Sequence, residues 1–153
     1  TAYLQSGGYD EDPDVLYNED VAFHIRLAFA GLSFTADETV TVVNYRRGDS
    51  MSAANQLKCH LAHFAVMKKT LNRTEASGYH GEIAANLWKV SGLLAACGDW
   101  KKADEAASLA KGIAPIPASA GSSWFRTLAH YSPRIALRAR EAAVRMFRPS
   151  LRK

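Results

Sequence analysis

Four residues near the start of the chain have types and spacing suited to binding a hydroxyl-rich molecule. Gly7 and Gly8 are followed, after one tyrosine, by Asp10 and Glu11. A glycine pair lets the backbone approach a ligand closely, and carboxylates accept hydrogen bonds from hydroxyl groups. The same residue types are also typical of a plain surface turn. The segment therefore needs a second observation before it indicates chemistry.

The second observation is an acidic pair, Glu19 and Asp20, at the predicted start of a helix. Asn18 is a good N-cap, and Gly31 is a typical helix end. A helix N-terminus favours an ionised carboxylate, which is the form that a general base needs at neutral pH. Acidic residues also begin many ordinary helices, so the pair alone does not identify a catalytic site. The apolar residues that recur at helical spacing are Val21, Ile25, Ala28 and Phe29.

Together the two groups resemble the second half of the catalytic domain of family 2 glycosyltransferases. That family has a GT-A fold and carries Gly-Gly-Phe-Asp-Glu, followed by Glu-Asp-x-Asp-Leu-x-x-Arg-Leu. Tyr9 stands for the usual Phe, and Ala22 stands where many members have another Asp. The likeness extends to Ser52. The matching residues are Gly7, Gly8, Asp10, Glu11, Glu19, Asp20, Arg26 and Leu27.

The resemblance implies an inverting glycosyltransferase of the kind used in cell-envelope polysaccharide synthesis. The donor would be a nucleotide sugar, and the acceptor a glycan, a lipid-linked sugar or a small molecule. Asp20 is implied as the general base that takes the proton of the acceptor hydroxyl, with Glu19 as the alternative. The residues implied for substrate binding are Gly7, Gly8, Asp10 and Glu11.

The resemblance also implies a diphosphate-binding loop that contains Arg46, Arg47 and Ser50, because paired guanidinium groups suit phosphate oxygens. Many family members have a His in or just before this loop, and this sequence has none there. The nucleotide and an Mg²⁺ or Mn²⁺ ion would be held mainly by the N-terminal half of a GT-A domain. No residue of this chain is therefore assigned as a metal ligand, and the chain is expected to be an inactive fragment of the full enzyme.

The charge distribution divides the chain into two parts. Residues 1–52 contain nine acidic and three basic side chains, whereas residues 53–153 contain six acidic and sixteen basic ones. This asymmetry suggests a site for a polar substrate, followed by a basic part that could meet an anionic membrane, nucleic acid or a protein. Cys59 and Cys97 have no metal or disulfide spacing and are expected to be buried, reduced thiols. With no apolar run near the roughly 20 residues of a membrane span and no leader pattern, a cytoplasmic location is expected.

The predicted fold class is mainly α with a short N-terminal α/β portion. Residues 1–52 would form the acceptor-side part of an incomplete GT-A domain, with short strands at 32–34 and 39–45. The later parts are predicted as a linking helix over 53–78 that Ser52 caps, a helical hairpin over 79–115, and a linker with a basic helix over 116–153.

The predicted hairpin consists of two helical patterns joined by Gly98-Asp99. Three small residues, Ala103, Ala107 and Ala110, allow the second helix to pack closely. The spacing is similar to that of one tetratricopeptide repeat, but a single repeat cannot bury its own apolar face. We therefore expect the hairpin to pack on its neighbours and not to form a peptide-binding array.

The last predicted helix begins at Ser132-Pro133 and ends at Pro149. It is basic and amphipathic, so we expect it to contact anionic lipid at the inner face of the plasma membrane. The alternative to an enzyme is a non-enzymatic helical adaptor, in which the hairpin and this helix bind a protein. No recognised pattern supports nucleic-acid binding. The residues that define the helix are the apolar Ile135, Ala139, Ala142 and Met146 and the basic Arg134, Arg138, Arg140, Arg145 and Arg148.

Overall fold

The computed structural model describes residues 2–32, 35, 39 and 54–152, which are mainly helical with no strand among them. The mainly α class is therefore confirmed. The strands expected at 32–34 and 39–45 lie outside the described residues, except for Leu32 and Thr39, which belong to no strand. The helices are α1 (Ala2–Gln5), α2 (Glu19–Phe29), α3 (Gln56–Leu71), α4 (His80–Ala96), α5 (Trp100–Ile113), α6 (Ser123–Tyr131) and α7 (Pro133–Phe147).

Helices α4 and α5 form the expected hairpin, which is the centre of the core. Gly98 ends α4 with a φ of 85°, in the left-handed region that favours glycine. Asp99 then caps α5, because its side chain accepts a hydrogen bond of 3.0 Å from the Lys102 amide. Short side chains let the two helices approach closely. The residues of α5 that are completely buried are Ala103, Ala106, Ala107 and Ala110.

Two glycine substitutions in the hairpin are expected to change stability in opposite directions. Gly98→Ala should destabilise the fold by about 1 kcal/mol, because an L residue is strained in the left-handed region. Gly112→Ala in α5 should stabilise it by about 0.5–1 kcal/mol through higher helix propensity. A Cβ atom at either position meets nothing within 4 Å, so packing does not confuse the comparison. Urea unfolding measures both values, and an equal effect of the two changes would contradict the assignment.

Helix α7 lies against both α4 and α5 and closes the core from one side. Ala136 and Leu137 are its buried apolar contacts. Gly92, in the middle of α4, leaves the space that the Arg140 guanidinium occupies, since a side chain there would collide with it. That guanidinium also lies 5.7 Å from the ring centroid of Phe125. The glycine thus lets the Arg140 guanidinium lie close to the α4 backbone.

Helix α6 occupies residues that the sequence analysis left between a linker and the last helix. Phe125 and Ala129, four residues apart, are buried, and the Phe125 ring packs edge-on against Trp88 with centroids 5.9 Å apart. The last helix begins where expected, since Ser132 accepts a hydrogen bond of 3.3 Å from the Ile135 amide. The predicted linker over 116–123 thus ends where α6 begins, and the helix that follows it was missed.

Helices α2 and α3 hold the N-terminal segment on the core. Val21, Ile25 and Phe29 pack against it as expected, but Ala28 is exposed, and the buried residue of this helix is Ala22. The Asn18 side chain makes no capping hydrogen bond to α2. Its side-chain amide donates instead to the Cys59 carbonyl at 2.8 Å. The cap expected at residue 52 lies outside the described residues, and α3 begins at Gln56.

In the part of the chain that the structure describes, no helix has the length and apolar character needed to cross a membrane.

Candidate functional site

The glycine pair forms a tight corner at the end of α1. Gly7 and Gly8 have φ values of 79° and 69°, and their amides donate to the carbonyls of Leu4 at 3.2 Å and Tyr3 at 3.0 Å. A Cβ atom at Gly8 would lie 3.0 Å from the Tyr3 hydroxyl oxygen. Both conformation and space therefore select glycine here. The corner turns the chain so that the acidic residues run towards α2 and α3.

Aromatic rings cover the corner. Tyr9 packs on Phe23 of α2 with ring centroids 4.9 Å apart, and Tyr3 packs on the same ring at 5.5 Å. Tyr9 is half exposed, so its hydroxyl is accessible to solvent. The tyrosine that replaces phenylalanine in the motif therefore has an apolar ring contact and a polar end.

Asp10 is the centre of an ion-pair cluster that joins the acidic segment to two helices. One carboxylate oxygen accepts from Lys69 of α3 at 2.9 Å and from Arg26 of α2 at 3.4 Å. The other oxygen accepts from the Asp12 amide at 3.1 Å. Arg26 also donates to the Gly8 carbonyl. Gly8, Asp10 and Arg26, three residues of the motif, thus form one hydrogen-bonded unit.

Lys69 bridges two carboxylates, because its ammonium also lies 2.7 Å from Asp12. Partial burial disfavours the charged form of Asp10, but the hydrogen bonds from Lys69 and the Asp12 amide, with the Lys69 and Arg26 charges, outweigh it and lower the pKa of that carboxyl. The hydrogen bond from Lys69 likewise lowers the pKa of Asp12. Hydrogen bonding to Asp12 raises the pKa of Lys69. All three groups are therefore charged at neutral pH. The Asp10 carboxylate anchors the acidic segment to α2 and α3.

The ion pairs make stability depend on pH in a way that can be tested with Lys69→Met. A carboxyl with a pKa below its unfolded value of 3.8 stabilises the fold above that value, and the contribution is lost as pH falls through the lower folded value. The variant should therefore have a lower urea midpoint at pH 7, and the difference should close between about pH 5 and pH 2. Lys101→Met, on the exposed surface of α5, serves as the control. A difference that is constant with pH would contradict the assignment.

A cavity of about 300 Å³ lies beside this cluster, between α2 and α3. Both charged and apolar side chains line it. Arg26 is one of its lining residues, and the Arg26 Nε atom is buried with no hydrogen-bond partner among the described residues. A buried donor without a partner is costly. The lining residues are Asp10, Ala22, Ile25, Arg26, Val66, Lys69, Thr70, Asn72 and Arg73.

The two carboxylates expected to act as base lie elsewhere, at the first turn of α2. Asp20 is exposed, and one of its oxygens accepts a hydrogen bond of 2.8 Å from the Val21 amide. Glu19 is half-buried, and its Oε2 atom is buried with no hydrogen-bond partner in the described part of the chain. Neither residue lines the cavity beside Asp10. The structure thus separates an anchored carboxylate, Asp10, from an accessible one, Asp20.

The other expected site residues are only partly described. Gly7 and Glu11 are exposed beside the corner. The proposed diphosphate ligands Arg46, Arg47 and Ser50 lie outside the described residues, so their position relative to Asp20 stays a prediction. Cys59 is half-buried and Cys97 is exposed, so the expectation that both thiols are buried is wrong.

The aspartates of the acidic segment are poorly placed to bind a metal ion. Asp10 and Asp12 have the one-residue separation of a metal-binding aspartate pair, but each carboxylate is hydrogen-bonded to the Lys69 ammonium. A cation so close disfavours a second positive ion. Across residues 2–32 and 54–152, no group of three or more His, Cys, Asp or Glu side chains is arranged to hold a metal ion. The metal expected from the resemblance stays a prediction.

Sequence reasoning missed Lys69 altogether and gave Arg26 no role beyond a motif match. Lys69 is 59 residues from Asp10 along the chain, and its helix was predicted only from the spacing of its apolar residues. The available signal was the opposite net charge of the two parts of the chain. The basic part was interpreted as a surface for partners, although its Lys69 neutralises two carboxylates of the acidic segment.

Comparison of the chain with protein-family models, curated proteins and solved structures gave no significant match.

Proposed function

We propose that residues 1–52 form the acceptor side of a glycosyltransferase active site similar to that of family 2. The longer polypeptide would transfer a sugar from a nucleotide donor to a glycan, lipid-linked or small-molecule acceptor on the cytoplasmic side of a membrane. In this proposal the nucleotide-binding half of a GT-A domain, with its Mg²⁺ or Mn²⁺ ion, lies outside these residues. The metal would neutralise the diphosphate of the donor.

The observation that carries the proposal is the different state of the two aspartates of the motif. Asp10 is held by Lys69 and Arg26 and shapes the segment. Asp20 is exposed in the first turn of α2. One aspartate of the motif is held in ion pairs and the other is accessible. This arrangement suits a reaction that needs one general base.

In the proposed reaction, the accessible oxygen of Asp20 accepts the proton of the acceptor hydroxyl. The acceptor oxygen forms a bond to the anomeric carbon of the donor sugar. The bond from that carbon to the diphosphate oxygen breaks on the opposite face, and the electron pair leaves with the nucleotide diphosphate. The configuration at the anomeric carbon is inverted. Arg46, Arg47 and Ser50 are proposed to stabilise the charge that develops on the leaving group.

The cavity between α2 and α3 is proposed to bind part of the acceptor. Arg26, Thr70 and Asn72 supply polar side chains to its wall. Ile25 and Val66 supply apolar surface of the kind that packs against the faces of sugar rings. We expect the acceptor to bind here through hydroxyl groups distant from the reacting one.

The test is a transfer assay on the polypeptide that includes the residues preceding Thr1. A set of nucleotide sugars is offered with and without candidate acceptors, and release of nucleotide diphosphate is measured. The proposal expects release that depends on the acceptor and on Mg²⁺ or Mn²⁺. Absence of turnover with every donor, in a protein that is folded by circular dichroism, would refute it.

A helical adaptor remains the second candidate, because helices α3 to α7 have a shared core and form the larger part of the described chain. An adaptor would bind its protein partner equally well after Asp20→Asn. The enzyme would lose turnover with this change, so one variant separates the two functions.

A further inference from the structure

Helix α7 has two parallel stripes on its solvent-facing side. Arg134, Arg138 and Arg145 share one face, because they are four and seven residues apart. Each arginine immediately precedes an apolar residue, so a second stripe lies about 100° further round the helix. The apolar stripe consists of Ile135, Ala139, Ala142 and Met146.

The apolar stripe is not used by the core of the described chain. Ile135 is 56% exposed and Met146 is 73% exposed, whereas the buried residues of the helix lie on the other side. Two aromatic residues near the ends of α7 are also exposed, Tyr131 at the end of α6 and Phe147, 77% exposed, at the last turn of α7. A contiguous exposed apolar surface of this kind marks an interaction site.

The arginine stripe has a structural role, and it still leaves positive charge at the surface. Arg134 and Arg138 contact Asp104 of α5 at 2.8 and 3.5 Å, and Arg145 contacts Glu141 at 2.9 Å. Two carboxylates therefore face three guanidinium groups. Over the whole of residues 123–153 there are seven Arg, one Lys and a single acidic residue, Glu141. The surface beside the apolar stripe is thus strongly cationic.

We propose that α7 lies flat on an anionic membrane surface, with the apolar stripe inserted between the lipid head groups and the arginine stripe facing their phosphates. The occupant is assigned by charge complementarity. Basic side chains near such a surface contribute about 1 kcal/mol each, and shallow burial of apolar side chains adds to binding. To the basic amphipathic pattern expected from the sequence, the structure adds that Ile135 and Met146 are exposed.

The test measures sedimentation of the full chain with vesicles. Vesicles of phosphatidylcholine with about 30 mol% phosphatidylglycerol are compared with pure phosphatidylcholine. The chain should partition at least about tenfold more strongly onto the anionic vesicles, and this binding should weaken as NaCl is raised from about 0.05 to 0.5 M. Equal binding to both vesicle types, or no binding to either, overturns the proposal.

The decisive variant is Ile135→Ser combined with Met146→Ser. Both side chains are exposed, so the fold should be retained, while partition onto anionic vesicles should fall about tenfold. Leu16→Ser is the matched control, because Leu16 is 57% exposed on a different part of the molecule. Unchanged vesicle binding in the double variant, or an equal loss in the control, overturns the proposal.

Two other occupants give distinct results. If the stripe pairs two copies of the chain, light scattering shows a dimer that the double variant dissociates, and vesicles are not bound. If the basic face binds nucleic acid, random-sequence duplex DNA retains the chain and vesicles do not. Either result overturns the proposal. Vesicle binding requires no sugar transfer, so its failure is distinguishable from failure of the proposed reaction.

Discussion

Replacing Asp20 by Asn is expected to lower the turnover number for sugar transfer by about 10²–10⁴-fold, the usual contribution of a general base. The amide has the same shape as the carboxylate but cannot accept the acceptor proton at neutral pH. Because Asp20 is exposed and its carboxylate accepts a hydrogen bond from the adjacent Val21 amide, stability should change little. The measurement is steady-state release of nucleotide diphosphate by the longer polypeptide.

Asp14→Asn is the matched control for this prediction. Asp14 is an exposed carboxylate in the same acidic segment and has no proposed catalytic role, so its turnover should equal that of the wild type. Glu19→Gln tests the alternative base. If Asp20→Asn keeps full turnover while Glu19→Gln loses it, the base is Glu19, and if both keep turnover the proposed mechanism is wrong.

The largest expected effect on stability is that of Leu87→Ala in α4. Leu87 is completely buried in the core, and the truncation removes apolar contacts and leaves a cavity, which costs about 2–5 kcal/mol. Such a loss is a large share of the stability of a small domain. Urea unfolding followed by circular dichroism should show a lower midpoint with a similar slope.

Leu16→Ala provides the comparison, because it is the same substitution at a residue that is 57% exposed. Its effect on the free energy of unfolding should be within about 0.5 kcal/mol of zero. If Leu87→Ala cost no more than this control, the hairpin would not be the centre of the core.

Helix boundaries were predictable where a single residue determines the local backbone conformation. Gly98 ends α4 and Asp99 starts α5, and both act through their own backbone or an adjacent amide. The small residues of α5 predict close helix packing, because this inference needs only the size of their side chains and no knowledge of the neighbouring helices. Helix α6 was missed since its signal is only two turns long, and Phe125 and Ala129 alone give too little periodicity to distinguish a helix from a linker.

The candidate site was predictable only within its local motif. The conformations of Gly7 and Gly8 follow from their residue type, and Asp20 is accessible at a helix start. The Asp10–Lys69 contact could not be predicted, because charge indicates that a partner exists without identifying it among sixteen basic residues of the second part. The cavity likewise depends on how α3 approaches α2, which local patterns do not determine.

Lys69 places one ammonium group at the junction of segments that are distant in sequence. Any attempt to transplant residues 1–32 onto another helical support must therefore supply a cation at the same position, or the acidic turn will repel itself and open. Transferring the motif residues without such a cation would keep their identities but not the conformation of the segment. Recombination between related chains should accordingly tolerate crossovers after residue 71 better than crossovers between residues 12 and 69, which separate Lys69 from both carboxylates.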